Sequence, residues 1–261
     1  MPLIPERSRD YYADLEAVHR TLRPSTYLEI GIRQGKSLML AGADTCCIGI
    51  DPNPKIKSPP SNAKLFKETS DEFFAQHDLS RKLAGLDLDL AFIDGMHLFE
   101  FALRDFMNIE ANSQSHTVVL LHDCLPIDEA TSTRERETVV WTGDVWKLIA
   151  CLAKYRPDLM LSAVENKPSG LCVVTGLNRN DRTLIESYDS ILEEYIPLGW
   201  AFYKEQAESL VQDRVVSLEE LLRDLRRSTT WTSPAIIGKY RAMRFKQSVR
   251  SQVRRSARRR A

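Results

Sequence analysis

No stretch of this sequence approaches the roughly 20 consecutive apolar residues that a membrane-spanning helix needs, so no transmembrane helix is expected. The opening residues, Met1-Pro2-Leu3-Ile4-Pro5-Glu6-Arg7, lack the charged start and apolar run of a secretory signal, which makes the cytoplasm the expected location. Cysteine is scarce. Its five copies, Cys46, Cys47, Cys124, Cys151 and Cys172, are odd in number and contain no C-x-x-C pair. That argues against a zinc ribbon or a dithiol redox centre and fits reduced thiols serving as small core residues. Acidic residues are missing altogether after Asp224. The last 37 positions hold twelve Lys or Arg, so residues 1–224 keep 24 basic against 36 acidic residues, a net of −12 within a chain whose total is zero. The sequence is an acidic body with a basic tail. Internal repeats are absent, and the arginine-rich end is the only low-complexity stretch.

What is present is ordinary globular material. The 261 residues are 43% apolar and 28% charged, enough for one sizeable core and short for two, so one main domain with additions is expected. Tyr11, Leu15, Val18 and Leu22 recur at the spacing of one buried helix face, predicting a helix over residues 10–21. From there strand and helix alternate. Strands are predicted at 26–31, 45–51, 64–67, 89–94 and 117–122, and helices at 70–83, 100–111 and 144–155. Two more strands, 159–164 and 170–175, flank the turn-forming Glu165-Asn166-Lys167-Pro168-Ser169 and should pair antiparallel. Further helices are predicted at 181–195, 201–212 and 218–227. Such alternation implies an α/β fold, a parallel sheet covered by helices on both faces.

The most informative segment is Glu29-Ile30-Gly31-Ile32-Arg33-Gln34-Gly35-Lys36-Ser37. A strand that ends in Gly-x-x-x-Gly and enters a helix lets backbone pass close to a nucleotide-like ligand. At the end of the next strand, twenty residues after Gly31, Asp51 is placed to accept hydrogen bonds from two ribose hydroxyls. The phosphate-gripping G-x-G-x-x-G is absent. Together these residues resemble motif I of class I methyltransferases. That resemblance implies a Rossmann-like, seven-stranded doubly wound sheet and S-adenosylmethionine as cofactor. It implies that Gly31 and Gly35 pass beside the methionine part, that Glu29 holds the loop or the amino group, that Asp51 takes the ribose, and that Ser70 meets adenine.

Asp89-Leu90-Ala91-Phe92-Ile93-Asp94-Gly95-Met96-His97-Leu98-Phe99-Glu100, followed by Asp105, is similar to the D-G-x-H-x-[YF]-E signature of a methyltransferase subgroup termed family 24, related to small-molecule O-methyltransferases. Val118-Val119-Leu120-Leu121-His122-Asp123-Cys124 matches the H-D pair of its fifth strand. The resemblance spans about residues 25–176. Asp94 and Asp123 would lie at the carboxyl ends of adjacent strands, where open α/β sheets place ligands, with Asp94 touching cofactor and reaction centre alike. Two carboxylates facing one cleft require a proton or cation between them, so a divalent ion such as Mg2+ on Asp94 and Asp123 is one expectation. Cys124 stands where the magnesium-dependent enzymes have an oxygen ligand. The other expectation is proton transfer to a histidine, His97 or His122.

The expected organisation is an N-terminal helical segment (1–24), the cofactor-binding domain (25–178), a helical extension (179–230) and a basic tail (231–261). The polar stretch 128–138 and Trp141-Thr142-Gly143-Asp144-Val145-Trp146-Lys147 should lie over the cleft, core packing of its helix being the other reading of Trp146. The tail interleaves its charges with Met243, Phe245, Val249 and Val253, which suits contact with nucleic acid, an anionic surface or a partner subunit, or a simple solvated end. The leading reading is O-methylation of a small molecule or sugar hydroxyl. Two alternatives stand beside it: an inactive protein of this fold that binds through its tail, and an NAD-dependent dehydrogenase.

Overall fold

A computed structural model of the chain describes residues 10–228. Seven strands form one sheet: β1 (Thr26–Ile30), β2 (Cys46–Ile50), β3 (Ala63–Phe66), β4 (Leu90–Ile93), β5 (Val118–His122), β6 (Met160–Val164) and β7 (Leu171–Thr175). Their order is β3-β2-β1-β4-β5-β7-β6. The first five run parallel, and β7 enters antiparallel between β5 and β6. The order reverses beside β1, and the carboxyl ends of β1 and β4 flank the crevice there, as in other open α/β sheets that bind ligands.

Alternation along the strands builds two cores. Leu28, Ile30, Ile48, Ile50, Ala91, Ile93, Val119 and Leu121 face one side. There they meet α2 (Ser70–Gln76), α4 (Phe99–Ala111) and α5 (Trp146–Tyr155) through Phe73, Phe106 and Trp146. The helices after the sheet join the same core: α6 (Thr183–Glu186), α7 (Tyr188–Tyr195), and the continuous stretch of α8 (Trp200–Phe202), a π-helical turn (Tyr203–Ala207) and α9 (Glu208–Gln212). Leu184, Ile191, Tyr195, Tyr203 and Val211 are their buried contributions. On the opposite face, Tyr27, Cys47, Leu90, Phe92, Val118, Leu120 and Val173 meet α1 (Tyr11–Leu22) and α10 (Leu218–Ser228). Leu221 and Leu225 of α10 are buried there, each worth about 2 kcal/mol of apolar burial.

Two local expectations are corrected. Gly35 does not lead into an α-helix: between β1 and β2 the chain makes a single 3-10 turn, Leu38–Leu40. α1 and α10 pack on each other and cover this face of the sheet. The helix expected over 70–83 is two helices. Thr69 opens α2 with a capping box to Glu72, and α2 ends at His77, whose Nε2 lies 2.8 Å from Glu68. Asp78 then caps a new short helix, α3 (Leu79–Lys82), by accepting from the Arg81 amide at 3.1 Å.

Candidate active site

A cavity of about 660 Å3 opens at the carboxyl ends of β1, β2, β4 and β5 and is lined by Gly31, Asp51, Ser70, Asp94, His97, His122 and Asp123 among others. A smaller cavity of about 290 Å3 adjoins it, sharing Tyr11, Gly31, Arg33 and Asp94 and adding Tyr12, Gln34, Lys36 and Ser37.

On the β1–β2 side the backbone does most of the shaping. Gly31 has φ +91°, and a Cβ on it would overlap the Asp94 carbonyl, so any other residue would push β1's end away from β4's. Gly35 lines neither cavity. Its φ is +75°, and the space a Cβ would need is taken by the Ile56 side chain. Arg33, also left-handed at φ 47°, donates its amide to Asp51 Oδ2 at 2.7 Å, while the Asn53 amide reaches Oδ1 at 2.7 Å. Both Asp51 oxygens are thus aimed by backbone, and each keeps a lone pair toward the cavity. Glu29 is fully buried and lines neither cavity. It accepts from the Tyr27 hydroxyl at 3.0 Å and from Ser37 Oγ at 2.5 Å, and burial pushes its carboxyl up to about 8 despite those bonds. Glu29 is thereby tied to Ser37 in the loop that follows β1. Ser70 lines the cavity at the start of α2, and its hydroxyl meets Asp105, whose carboxyl burial raises to about 7.

On the β4–β5 side, side chains replace backbone. Asp94 Oδ1 lies 3.1 Å from His122 Nδ1 and 3.4 Å from His97 Nε2. Asp123 Oδ2 lies 3.3 Å from His122 Nδ1 and 3.1 Å from His97 Nδ1. The two carboxylates are therefore bridged twice by imidazoles. Burial works against every charge here, yet the two aspartates lift His97 to about 8 and His122 to about 10. In turn His122 and His97 hold the Asp94 carboxyl well below the usual carboxylate range. His97 Nδ1 also sits 2.7 Å from the Trp141 carbonyl, so in the neutral ring that nitrogen carries the proton and Nε2 is the acceptor. His122 is more enclosed, with the Tyr11 ring tilted against it at 4.0 Å between centroids, Phe92 at 6.2 Å, and, among the described residues, no partner for its buried Nε2.

Asp94, His97 and Asp123 present three donor atoms within 4.8 Å of one another, a set that suits a divalent cation. Cys124 takes no part in it. Asp123 turns left-handed at φ 58°, Ser169 Oγ bonds its Oδ1, and the next residue is thrown into the core, where Cys124 is fully buried.

The sequence reading missed Tyr11, which reaches the site because its amide bonds the Lys167 carbonyl at 3.1 Å. It also passed over the part played by Asp144. One Asp144 oxygen accepts the Phe99 amide at 2.7 Å, and the other accepts Arg134 Nη1 and Lys147 Nζ, each at 2.7 Å. Its amide donates to the His97 carbonyl at 3.2 Å, and the neighbouring Gly143, at φ +54°, leaves room only for that carbonyl. The loop after β5 thus rests directly on His97.

Residues 28–124 match the profile of a family described as a methyltransferase domain. No curated protein matches the chain. Among solved structures, the Podospora anserina methyltransferase PaMTH1, determined with S-adenosylhomocysteine bound, is 13% identical with a TM-score of 0.50, covering 64% of this chain and 78% of its own. The O-methyltransferase TomG of Streptomyces achromogenes, in complex with S-adenosylmethionine, is 16% identical at TM-score 0.49, covering 67% and 83%. Over residues 28–124 the chain is similar to that family, and its seven-stranded sheet has the Rossmann-like fold that it shares with PaMTH1. Among the described residues no helix is long and apolar enough to cross a membrane.

Proposed function

We propose that the protein transfers a methyl group from S-adenosylmethionine to a hydroxyl oxygen of a small molecule, with Asp51 and Gly31 on the cofactor side and Asp94, His97, His122 and Asp123 on the acceptor side. The observation that carries this reading is the doubly bridged Asp94–His97–Asp123–His122 cluster, set in the same cavity as Asp51 and Ser70. Bound cofactor supplies an activated sulfonium methyl, so the protein's share of the work is alignment and removal of the acceptor's proton.

His97 suits the base, because Nδ1 is committed to the Trp141 carbonyl and Nε2 faces the cavity's aspartates. His122 suits a positioning role, since its buried ring spans both aspartates and cancels their repulsion. Asp51 has the geometry to receive two ribose hydroxyls, and Ser70 stands at the edge expected for adenine. Glu29 acts from behind the loop through Ser37. In a second arrangement, which takes His97 out of the base role, a divalent ion would be held by Asp94, His97 and Asp123, where it would orient the acceptor oxygen and favour its ionised form.

A nicotinamide-dependent dehydrogenase is not favoured, because the loop after β1 leads to one 3-10 turn instead of an α-helix whose N-terminus could hold a pyrophosphate. An inactive binding protein would have no use for the four-residue cluster. The test measures S-adenosylhomocysteine binding by calorimetry, then methyl transfer to a panel of hydroxylated small molecules. His97→Gln should lose transfer at least a hundredfold and keep its affinity for S-adenosylhomocysteine. If chelation also abolishes transfer and a hard divalent ion restores it, the cation arrangement holds. Full transfer by His97→Gln in the chelated enzyme would remove this assignment. The basic tail, expected to contact nucleic acid or an anionic surface, lies outside the described residues.

A further inference from the structure

The loop between β5 and α5 carries two arginines used in opposite ways. Arg134 is spent within the fold: Nη2 donates to Glu100 Oε1 at 2.6 Å, and Nη1 to Glu100 Oε2 at 3.1 Å and Asp144 Oδ2 at 2.7 Å. Arg136 lines the large cavity and is exposed. Its donors reach only main-chain oxygens, Thr138 at 3.5 Å and Val139 at 3.1 Å, and among the described residues no carboxylate lies within ion-pair distance. A guanidinium stays charged at any physiological pH, so a cation without a counter-charge stands at the cavity mouth.

Its surroundings narrow what it could meet. The Arg136 guanidinium carbon is 6.0 Å from the Trp141 ring centre, and Trp141 stacks on His97 with centroids 5.3 Å apart and planes 23° apart. Met96, Val139 and Val140, also in the lining, are 55%, 92% and 37% exposed, unusual for residues of their kind. An apolar rim thus runs from the His97 cluster to one unpaired cation. Arg134 ties this loop to α4 and to Asp144, so Arg136 is presented from an anchored segment.

We propose that Arg136 is the anion-recognising residue of the acceptor subsite, and that the acceptor is a hydroxy acid: an apolar body with a hydroxyl directed to His97 and a carboxylate directed to Arg136. The proposal rests on the methyl-transfer reading above and deepens it by naming the substrate class. The Nη1 edge, which makes no bond to the loop's carbonyls, is available for a charge-assisted contact with the carboxylate, while Met96, Val139, Val140 and Trp141 cover the apolar body.

The test uses the full chain saturated with S-adenosylhomocysteine and titrates 4-hydroxycinnamate and its methyl ester by calorimetry. The acid should bind at least tenfold more tightly than the ester. Arg136→Gln should cut affinity for the acid about tenfold and leave the ester within twofold, and Arg136→Lys should recover part of the loss. Because Arg136 is exposed and bonds only its own loop, the variants should fold. Equal binding of acid and ester, equal loss of both in Arg136→Gln, or binding of neither probe to the S-adenosylhomocysteine complex would overturn the proposal. Failure of S-adenosylhomocysteine itself to bind would overturn the methyl-transfer reading and this one with it.

Discussion

Asp51 and Asp94 stand in one cavity and are held by different means. Asp51 is aimed by two main-chain amides, one from the β1 loop and one only two residues along its own chain. Asp94 takes His97 from three residues on and His122 from the neighbouring strand, and both histidines also reach Asp123. The first arrangement depends on loop conformation alone. The second depends on charge balance, and it is completed from a distance by Trp141, Ser169 and Tyr11. A substitution should therefore damage cofactor binding through the backbone on one side and turnover through side-chain charge on the other.

The sharpest way to break that division is a matched pair of glycines. Gly31→Ala puts a methyl group into the Asp94 carbonyl at a φ of +91°, so it should separate β1 from β4 and lower S-adenosylhomocysteine affinity more than a hundredfold. Gly143→Ala puts the same group into the His97 carbonyl at φ +54°, so it should abolish transfer while changing that affinity less than about threefold. Calorimetry on both variants, with circular dichroism to confirm folding, measures the contrast. Equal effects on binding would mean that the cavity acts as one unit. A smaller effect is expected at Asp51, whose replacement by Ala removes the acceptor oxygens without straining the loop. The expected cost is about 2 kcal/mol of S-adenosylhomocysteine affinity, the scale of charged hydrogen bonds. Unchanged affinity in a folded variant would remove the ribose assignment.

The same contrast explains which parts of the molecule sequence could reveal. Strand ends at Gly31, Asp51, Asp94 and Asp123 follow from local pattern, because apolar alternation stops and a turn residue or acid appears. The capping box of Thr69 and Glu72 is equally local. The helix over 70–83 divides where the His77 ring turns back to Glu68, nine residues earlier, and Asp78 caps a new helix by accepting the Arg81 amide; the first contact is one that helix propensity ignores. Cys124 is buried, as its residue type leads one to expect, although it directly follows Asp123 at the cavity, because the left-handed turn at Asp123 redirects the chain. Arg134 and Lys147 lie near Asp144 in sequence, but the contacts that make it a hub, to the Phe99 amide 45 residues away and through Lys147 to the Ile196 carbonyl 49 residues from that lysine, fall in no local window. Arg134 and Arg136 look alike in the sequence and differ only in what faces them.

Below the site, stability should show its own asymmetry with pH. His19 is buried on α1, with no partner for either ring nitrogen among the described residues, packed edge-on to Tyr27 at 4.6 Å, and burial lowers it to about 4. An unfolded chain takes that proton near pH 6.5, so between 6.5 and about 4 the unfolded state binds more protons and folding weakens as pH falls. Glu29, across the same Tyr27, is raised to about 8 and has the opposite slope, its contribution fading as pH rises from about 4.5 to 8. Urea unfolding of native protein and His19→Phe should give stabilities that diverge by about 1 kcal/mol or more between pH 6.5 and 5, with the variant flatter on the acid side. Parallel profiles would show that His19 gains a proton partner on folding.

The smallest effect is expected from the most basic part of the chain. Among the described residues, those lining the two cavities fall between Tyr11 and Pro168, and the buried residues of the face covered by α1 and α10 run no further than Leu225. Removing residues 239–261 takes away ten of the twelve basic residues that follow Asp224 and leaves all of those groups in place. S-adenosylhomocysteine affinity should therefore stay within about twofold, since the neighbouring charges it changes are screened over roughly 10 Å in ordinary salt. Binding to an anionic polymer such as RNA should behave differently. If the tail makes that contact, binding is lost on truncation and falls steeply with added salt in the full chain, because each neutralised phosphate releases a counterion. A cofactor affinity that drops tenfold or more on truncation would mean that the tail docks on the cavity side of the sheet. The mouth around Arg136 would then be shared between acceptor and tail, and the division between a backbone-built cofactor side and a side-chain-built acceptor side would have to include a third contributor.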